Sequence, residues 1–336
     1  MHVRFPFVAA AFALAALFAY AGGALAQQPI IIKFSHVVAV DTPKGKAAEY
    51  FKKLAEERTK GRVKVEVYPN SQLYKDGEEM EALQLGSVQM LAPSVAKFGP
   101  LGAREFEVFD LPYIFDSFTE LHKVTDGAVG KKLFKKLETK NIAGLAFWDN
   151  GFKDFSANRA LRLPGDVKGL KMRIQSSNVL EAEIRALGGL PQKMAFSEVY
   201  QGLQTGVVDG TENPPSNFYT QKMHEVQKFL TLTDHGVIEY AVIANKPFWD
   251  GLPPDIRTTL EGAMKEATKF ANDIAKKEND DALEAVRKSG KTEIITLTPA
   301  QKAEWKKALL QVHREMESRI GKDVIQEVYK ETGFKP

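Results

Sequence analysis

An arginine in an otherwise apolar strand carries the most specific chemistry in this sequence. The segment 170–174 reads LKMRI. In a strand its alternating apolar side chains share one face, which leaves Lys171 and Arg173 on the other. A guanidinium on a mostly buried sheet needs an anion, because an unpaired charge is costly to desolvate. Either an internal carboxylate neutralises Arg173, or the residue holds a ligand carboxylate through two parallel hydrogen bonds, a geometry that its planar fork matches.

Other patterns that carry chemistry are weak. The six histidines are far apart in sequence, and they form neither a metal-binding pair nor a His-Glu-x-x-His motif. There is no Gly-x-Ser-x-Gly motif and no glycine-rich phosphate-binding loop. A secreted enzyme would have to use Asp209, Glu212 and His235, but Asp209 precedes a turn glycine and Glu212 can hold a neighbouring cation. We therefore predict a protein that is not an enzyme and has no metal site and no cofactor.

Composition excludes further classes of function. The 336 residues include 46 lysines and arginines against 43 acidic residues, so the formal charge of +3 does not indicate nucleic acid or an anionic membrane as a partner. The apolar fraction of 44% is typical of a globular protein, and the length suggests two domains. The sequence has no cysteine, which excludes disulfides, thiol catalysis, zinc ribbons and iron–sulfur clusters.

The amino terminus has the pattern of a secretory signal peptide. An apolar run covers residues 5–21, and the small-residue tripeptide Ala24, Leu25 and Ala26 follows it. This pattern predicts a signal peptide over residues 1–26 with cleavage after Ala26. Cleavage would remove one arginine and no acidic residue, leaving a mature charge of +2. An exported chain with no cysteine for lipid attachment is expected to be free in the periplasm.

The mature chain alternates short apolar strands with helix-periodic segments. A first set has predicted strands at 30–34, 63–68 and 88–92 and helices at 44–60 and 77–85. A second set has predicted strands at 142–148, 169–174 and 207–210 and helices at 179–187 and 196–205. Residues 254–288 form one long helical pattern that could bridge two lobes. Repeated β-α-β units predict an α/β fold with a parallel or mixed sheet covered by helices.

The order of several motifs resembles one known family. The motifs are GLKMRI at 169–174, MAFSEVY at 194–200, LQTGVVDG at 203–210 and ENP at 212–214. Together they closely resemble the solute-binding proteins of TRAP transporters, over essentially the whole mature chain. FSHV at 34–37 with TPKG at 42–45 is most similar to the DctP branch, which binds four-carbon dicarboxylates.

The resemblance implies a set of ligand-binding residues in the second lobe. The family's arginine in the LKMR-type strand makes the principal carboxylate bridge, and this role falls on Arg173. The family's asparagine before proline corresponds to Asn213, and the aromatic residue of the AFSEV motif corresponds to Phe196. A second basic residue, arginine in the sialic-acid-binding relatives, is Lys153 here, a departure that argues against sialic acid.

Three residues of the first lobe are further candidates. Lys44 at the start of the first helix either meets the distal carboxylate or is a solvated lysine. Ser94 lies where relatives place a polar ligand contact, and His36 is a weaker candidate of the same kind. Together with Arg173 and Lys153, Lys44 would provide the positive charge that a dicarboxylate requires.

The fold implied by the resemblance is a two-lobed periplasmic binding protein fold, in which discontinuous lobes are crossed by a long helix. We expect lobe I to comprise residues 27–149 and 239–278, and lobe II residues 150–238 and 279–336. The protein is then expected to be a monomer that captures succinate, fumarate or malate by hinge closure and delivers it to the TRAP membrane permease. Two alternatives stay open: the same fold binding a keto, aromatic or sugar acid, and a sensory co-receptor for a membrane kinase.

Overall fold

A mixed sheet with helices packed against it forms the centre of the protein. The computed structural model describes residues 28–336, so the predicted signal peptide at 1–26 lies outside the described residues. Within residues 28–336 no helix is both long enough and apolar enough to cross a membrane. The alternation of strands and helices confirms the predicted α/β class.

The elements of the described chain are numbered in chain order. The strands are β1 (Ile30–Ser35), β2 (Val63–Tyr68), β3 (Met90–Leu91), β4 (Ile142–Ala157), β5 (Lys171–Ile174), β6 (Leu190–Lys193), β7 (Gly210–Asn213), β8 (Phe229–Asn245) and β9 (Glu293–Thr296). The α-helices are α1 (Pro43–Arg58), α2 (Glu79–Gln84), α3 (Phe118–Thr125), α4 (Ala128–Glu138), α5 (Asn178–Ala186), α6 (Val199–Gln204), α7 (Pro215–Thr220), α8 (Lys246–Asp250), α9 (Pro254–Ser289), α10 (Pro299–Leu309), α11 (Gln311–Ile320) and α12 (Lys322–Thr332). Short 3₁₀ helices cover Val95–Lys97, Arg104–Asp110, Pro164–Val167, Phe196–Glu198 and Met223–Glu225.

Two long antiparallel strands, β4 and β8, connect the two halves of the sheet. The strand order is β2-β1-β3-β8-β4-β7-β5-β6, and β9 also pairs with β8. β3 pairs with the end of β8 near Ala244, whereas β9 pairs with its beginning near Phe229. β7 pairs with the end of β4, from Asp154 to Ala157. β4 and β8 therefore belong to both halves of the sheet, and their middle is the only strand pairing that joins the halves within the described residues.

The middle of β4 is irregular, and the long helix α9 compensates for this. The pairing of β4 with β8 shifts register between Asp149 and Gly151, which leaves backbone groups without their ladder partners. The Asp149 N–H donates to Asn272 Oδ1 at 3.0 Å, and Asn279 Nδ2 donates to the Asn150 carbonyl at 2.6 Å. The two asparagines are seven residues apart and therefore share a face of α9. They hold the helix against the junction of the two halves.

The long helix α9 crosses the molecule, as the sequence predicts. Its 36 residues are about 54 Å long at 1.5 Å per residue. Proline at the first helical position favours its start, and Gly290, with φ of 64°, ends it in the left-handed conformation. The first part of α9 packs against α1 and β4, and α7 also packs against the helix. Its buried face is rich in alanine, which permits close packing against the sheet.

The carboxyl-terminal helices contact elements of both predicted lobes. α11 packs against α5, while α12 packs against α3 and α4. The buried side chains of α12, among them Ile325 and Val328, share a core cluster with Leu121 and Val124 of α3. The residue boundaries of the two lobes stay predictions, and this packing associates α12 with elements that we assign to lobe I.

Strand β7 begins three residues later than predicted. The sequence pattern predicts a strand at 207–210, but the structure has β7 at Gly210–Asn213. Asp209 forms a tight connection to β5 instead: its N–H donates to the Lys171 carbonyl at 2.7 Å, and its Oδ2 accepts from the Lys171 N–H at 2.8 Å. Val207 is consequently exposed. The shift places Asn213 at the end of a strand rather than in a loop.

Trp148 tests the contribution of packing between β4 and α9. Its side chain is fully buried, its ring centroid lies 6.0 Å from that of Phe34, and its Nε1–H donates to Thr268 Oγ1 at 2.9 Å. We expect Trp148→Ala to lower the free energy of unfolding by about 3–5 kcal/mol, because the substitution leaves a cavity. Urea unfolding followed by circular dichroism measures this loss. Thr268→Val removes only the hydrogen bond and should cost about 1–3 kcal/mol; a larger loss in this control would contradict a dominant role for packing.

Candidate functional site

Arg173 is buried without a carboxylate partner. Its side chain is 1% exposed on β5, and its Nε and Nη2 both donate to the Met194 carbonyl, at 3.0 and 2.9 Å. Within residues 28–336 no aspartate or glutamate forms an ion pair with it. Burial lowers the pKa of Arg173, while the charges of Asp76 and Glu212 oppose that effect. No internal carboxylate therefore forms a direct ion pair with Arg173 in the described structure, although Asp76 and Glu212 act on it from beyond ion-pair distance.

The guanidinium of Arg173 faces a small polar cavity between the two halves of the sheet. The cavity has a volume of about 20 Å³, which is room for about one water molecule, so a ligand would require the two halves to move apart. The lining residues come from both predicted lobes. They are Val37, Val38, Asp76, Ser94, Lys97, Arg173, Gln175, Phe196, Asn213, Asn217, Ile238 and Tyr240.

Four of the predicted site residues line this cavity together. The guanidinium carbon of Arg173 lies 5.8 Å from the centre of the Phe196 ring. Asn213 is 2% exposed, and its side-chain amide makes only long contacts, at 3.4 Å to Thr211 Oγ1 and 3.9 Å to a methionine sulfur. Ser94 precedes the 3₁₀ helix Val95–Lys97, and its backbone bridges to β8. The amide of Asn213 thus has hydrogen-bonding capacity to offer a ligand.

Lys44 does not line the cavity. Its Nζ donates to the Ala92 carbonyl at 2.8 Å and lies 3.5 Å from the centre of the Tyr240 ring. Burial and the nearby charge of Lys97 lower the pKa of Lys44 to about 7. The alternative of a solvated lysine is wrong, because Lys44 is 1% exposed and packs against Tyr240.

His36 does not line the cavity either. It is fully buried, and neither of its ring nitrogens has a hydrogen-bond partner within the described chain. Burial and the charge of Lys44 lower the pKa of His36 to about 3, so the imidazole is neutral. A direct ligand contact by His36 is not supported in this arrangement.

Lys153 is engaged by an internal acid instead of facing the cavity. Its Nζ forms an ion pair with Glu212, and both side chains are 1% exposed. His235 Nε2 lies 3.2 Å from both Glu212 Oε2 and Glu183 Oε1. Burial alone would raise the pKa of Glu212, but Lys153 and His235 lower it. Glu212 therefore holds a neighbouring cation, which confirms its predicted structural role.

The same cluster resembles a metal site only in part. Donor atoms of Glu183, Glu212 and His235 lie within 4.8 Å of one another. The ammonium of Lys153 already contacts Glu212 and supplies the positive charge that a metal ion would bring. Asp209, the third residue of the rival enzyme interpretation, is held in its turn by Lys171. Glu183, Glu212, His235 and Lys153 form one buried charge cluster, and Glu212 directly precedes Asn213.

The sequence patterns do not predict two residues that line the cavity, Lys97 and Asp76. Lys97 Nζ lies 2.5 Å from Asp76 Oδ1 and 2.5 Å from Glu79 Oε1, and Asp76 Oδ2 accepts from the Phe196 N–H at 2.6 Å. Lys97 is one helical turn beyond Ser94, so the spacing of these two residues is a signal that could have identified it. No sequence pattern identifies Asp76. It lies in the loop after β2 and reaches the other side of the cleft.

The buried cluster generates a prediction about pH and stability. Burial raises the pKa of Glu183 to about 8, although Lys153 opposes this. Between about pH 4 and pH 8 the folded protein retains a proton on Glu183 that the unfolded chain releases, so this residue's contribution to the free energy of unfolding falls as pH rises. Glu183→Gln should remove that fall. In urea unfolding, the stability of the variant relative to the parent should therefore increase as the pH rises across this range.

Glu181 provides the matched control on the same helix. It is more accessible than Glu183, and its hydrogen bond to Lys193 lowers its pKa. The stability of Glu181→Gln relative to the parent should therefore stay constant between pH 5 and pH 8. A constant difference for Glu183→Gln as well would contradict the raised pKa of Glu183.

Comparisons with known proteins identify the family. The model for bacterial extracellular solute-binding protein, family 7, named DctP, matches residues 34–319. The C4-dicarboxylate-binding periplasmic protein DctP of Rhodobacter capsulatus is 66% identical over 89% of this chain and 90% of that protein. A TRAP periplasmic solute binding protein from Shewanella oneidensis, solved with bound succinate, has a TM-score of 0.88 and 40% identity, covering 90% of this chain and 99% of its own. One from Pseudomonas aeruginosa PAO1, solved with bound L-malate, has a TM-score of 0.83 and 43% identity, covering 85% of this chain and 100% of its own. The chain described here therefore belongs to the DctP family of TRAP solute-binding proteins and has their two-lobed α/β fold.

Proposed function

We propose that this protein captures a small dicarboxylate such as succinate, fumarate or malate in the cleft and delivers it to a membrane permease. The observation that carries the proposal is the buried guanidinium of Arg173, which faces the cavity without a carboxylate partner in the described chain. A ligand carboxylate would supply the missing negative charge and accept two parallel hydrogen bonds. The succinate and L-malate bound to two relatives support this class of ligand.

The lining of the cavity also supports a small anion. Polar side chains surround Arg173, and Phe196, Val37, Val38 and Ile238 form the apolar part of the lining. A four-carbon diacid has little apolar surface and many hydrogen-bond acceptors, which suits such a lining. A sugar acid or an aromatic acid is bulkier and would require the two lobes to close less tightly.

The mechanism is binding followed by closure, with no bond made or broken. The anion would first meet Arg173, whose orientation the Met194 carbonyl fixes. Lobe I would then close over it by bending the irregular middle of β4 and β8. Two contacts between the lobes hold the closed arrangement: Asp76 accepts the Phe196 N–H, and Lys75 Nζ lies 2.7 Å from Glu198 Oε1. Ligand binding and closure thereby stabilise each other.

The proposal extends to location and partners. Export through a signal peptide cleaved after Ala26 would place the mature protein in the periplasm, the location of the C4-dicarboxylate-binding periplasmic protein of Rhodobacter capsulatus. The closed, loaded form would dock as a monomer on the TRAP permease subunits. The protein would return its ligand unchanged and would therefore have no enzymatic activity.

Calorimetry with a panel of acids tests the function. We expect succinate, fumarate or malate to bind the purified mature protein, and a monocarboxylate of matching length to bind much more weakly, because it leaves part of the cavity's positive charge unpaired. Keto, aromatic and sugar acids complete the panel. Binding of one of these acids, with none of the four-carbon diacids, would reject the dicarboxylate assignment and favour another organic acid on the same fold.

Arg173→Lys tests the role of the guanidinium. We expect the substitution to lower affinity by about 2–5 kcal/mol although it keeps the charge, because a lysine offers a point charge on a flexible stem instead of a planar fork. Calorimetry measures the affinity, and thermal unfolding of the ligand-free variant is the control. A lowered melting temperature with affinity within a few fold of the parent would show that Arg173 only braces lobe II.

A further inference from the structure

The cavity contains a second cation, which belongs to the other predicted lobe from Arg173. Among the lining residues, Arg173 and Lys97 are the basic ones and Asp76 is the acidic one. Arg173 belongs to β5 of the predicted lobe II, whereas Lys97 ends the 3₁₀ helix Val95–Lys97 of the predicted lobe I. Two basic groups from different lobes suit a ligand that carries a carboxylate at each end.

The environment of Lys97 keeps it charged and fixed. Its side chain is 5% exposed, and its Nζ is held by Asp76 Oδ1 and Glu79 Oε1, each at 2.5 Å. Burial alone would lower the pKa of Lys97, but these two carboxylates raise it above its ordinary value. An ammonium group has three N–H donors. The two carboxylates take two of them, so the third is available to a ligand.

The cavity cations Lys97 and Arg173 are not fully balanced by the carboxylates beside them. Asp76 and Glu79 both contact Lys97, and neither forms an ion pair with Arg173 within the described chain. Burial raises the pKa of Glu79, so its negative charge is itself disfavoured. Asp76 contacts both the Lys97 ammonium and the Phe196 N–H. Burial alone would raise the pKa of Asp76, but the charges of Lys97 and Arg173 lower it to about 2. An anionic ligand would complete this arrangement.

We propose that Lys97 binds the second carboxylate of a dicarboxylate ligand while Arg173 binds the first. The inference rests on the proposed function and replaces Lys44 and Lys153 as the second cationic contact. Lys44 is occupied by the Ala92 carbonyl and the Tyr240 ring, and Lys153 by Glu212. Asp76 acts as a positioning residue: it holds the Lys97 ammonium and also contacts lobe II.

A comparison of two ligands in two variants tests the assignment. Lys97→Met should lower succinate affinity at least thirtyfold in calorimetry, yet change butyrate affinity less than threefold, since butyrate has no second carboxylate. Lys44→Met is the matched control, because it removes a buried lysine of the same lobe that does not line the cavity. It should change the affinity for either ligand less than threefold.

A second variant at the same position keeps the test usable if Lys97→Met does not fold. Lys97→Met leaves Asp76 and Glu79 without their cation, whereas Lys97→Gln keeps a hydrogen-bond donor near both. If circular dichroism shows that Lys97→Met is unfolded, Lys97→Gln carries the same comparison, with a tenfold loss expected for succinate and less than threefold for butyrate.

The outcomes separate the two proposals. A parent protein that binds no diacid would reject the proposed function itself. A parent that prefers succinate, together with Lys97 variants that keep this preference, would overturn only the role of Lys97. Equal losses in Lys97→Met and Lys44→Met would also overturn it, because they would show a general effect of charge instead of a direct contact.

Discussion

The surrounding structure is arranged around one constraint, the buried guanidinium of Arg173, which has no carboxylate partner in the described chain. A buried cation without a carboxylate is unfavourable, and the described chain supplies only partial compensation through the Met194 carbonyl and the face of Phe196. The nearest strand, β7, carries Glu212, whose charge acts on Arg173. Lys153 and His235 engage that carboxylate, so it does not form an ion pair with the arginine. The buried cluster thus leaves the guanidinium without a carboxylate in ion-pair contact.

The predicted lobe I also contains a buried cation beside the cavity, but carboxylates hold this one in position. Lys97 is not left unpaired but is shared between Asp76 and Glu79, which retain it in position without using all of its donors. Asp76 also reaches the backbone of Phe196, so the residue that orients the lysine contacts the opposite wall as well. Asp76 therefore contributes both to the placement of the charge and to one of the contacts between the lobes. A disturbance of Asp76 would affect both.

The sequence predicts more of the fold than of the site. Alternation at 170–174 correctly indicates a strand with Arg173 on the face away from the apolar side chains, and the uninterrupted pattern at 254–288 correctly indicates α9. The family resemblance predicts Phe196 and Asn213 as site residues. Both line the cavity, and their binding roles stay predictions. Lys44 is a candidate because of its charge and its position at the start of α1, whereas Lys153 is the residue that corresponds to the second basic residue of the sialic-acid-binding relatives. Which buried cation meets an internal partner depends on packing between distant segments, and local patterns do not contain this information. The same holds for the pairing of Lys97 with Asp76.

The junction between the lobes has a thermodynamic consequence. β4 and β8 pass through both halves without a break, and Asn272 and Asn279 of α9 satisfy the backbone at the register shift between them. Many two-domain proteins are joined by flexible linkers, whose freedom is lost when the domains close around a ligand. Here the connection is already ordered before any ligand arrives. Closure is then an elastic deformation of a sheet, and little of the binding energy is consumed by ordering the chain.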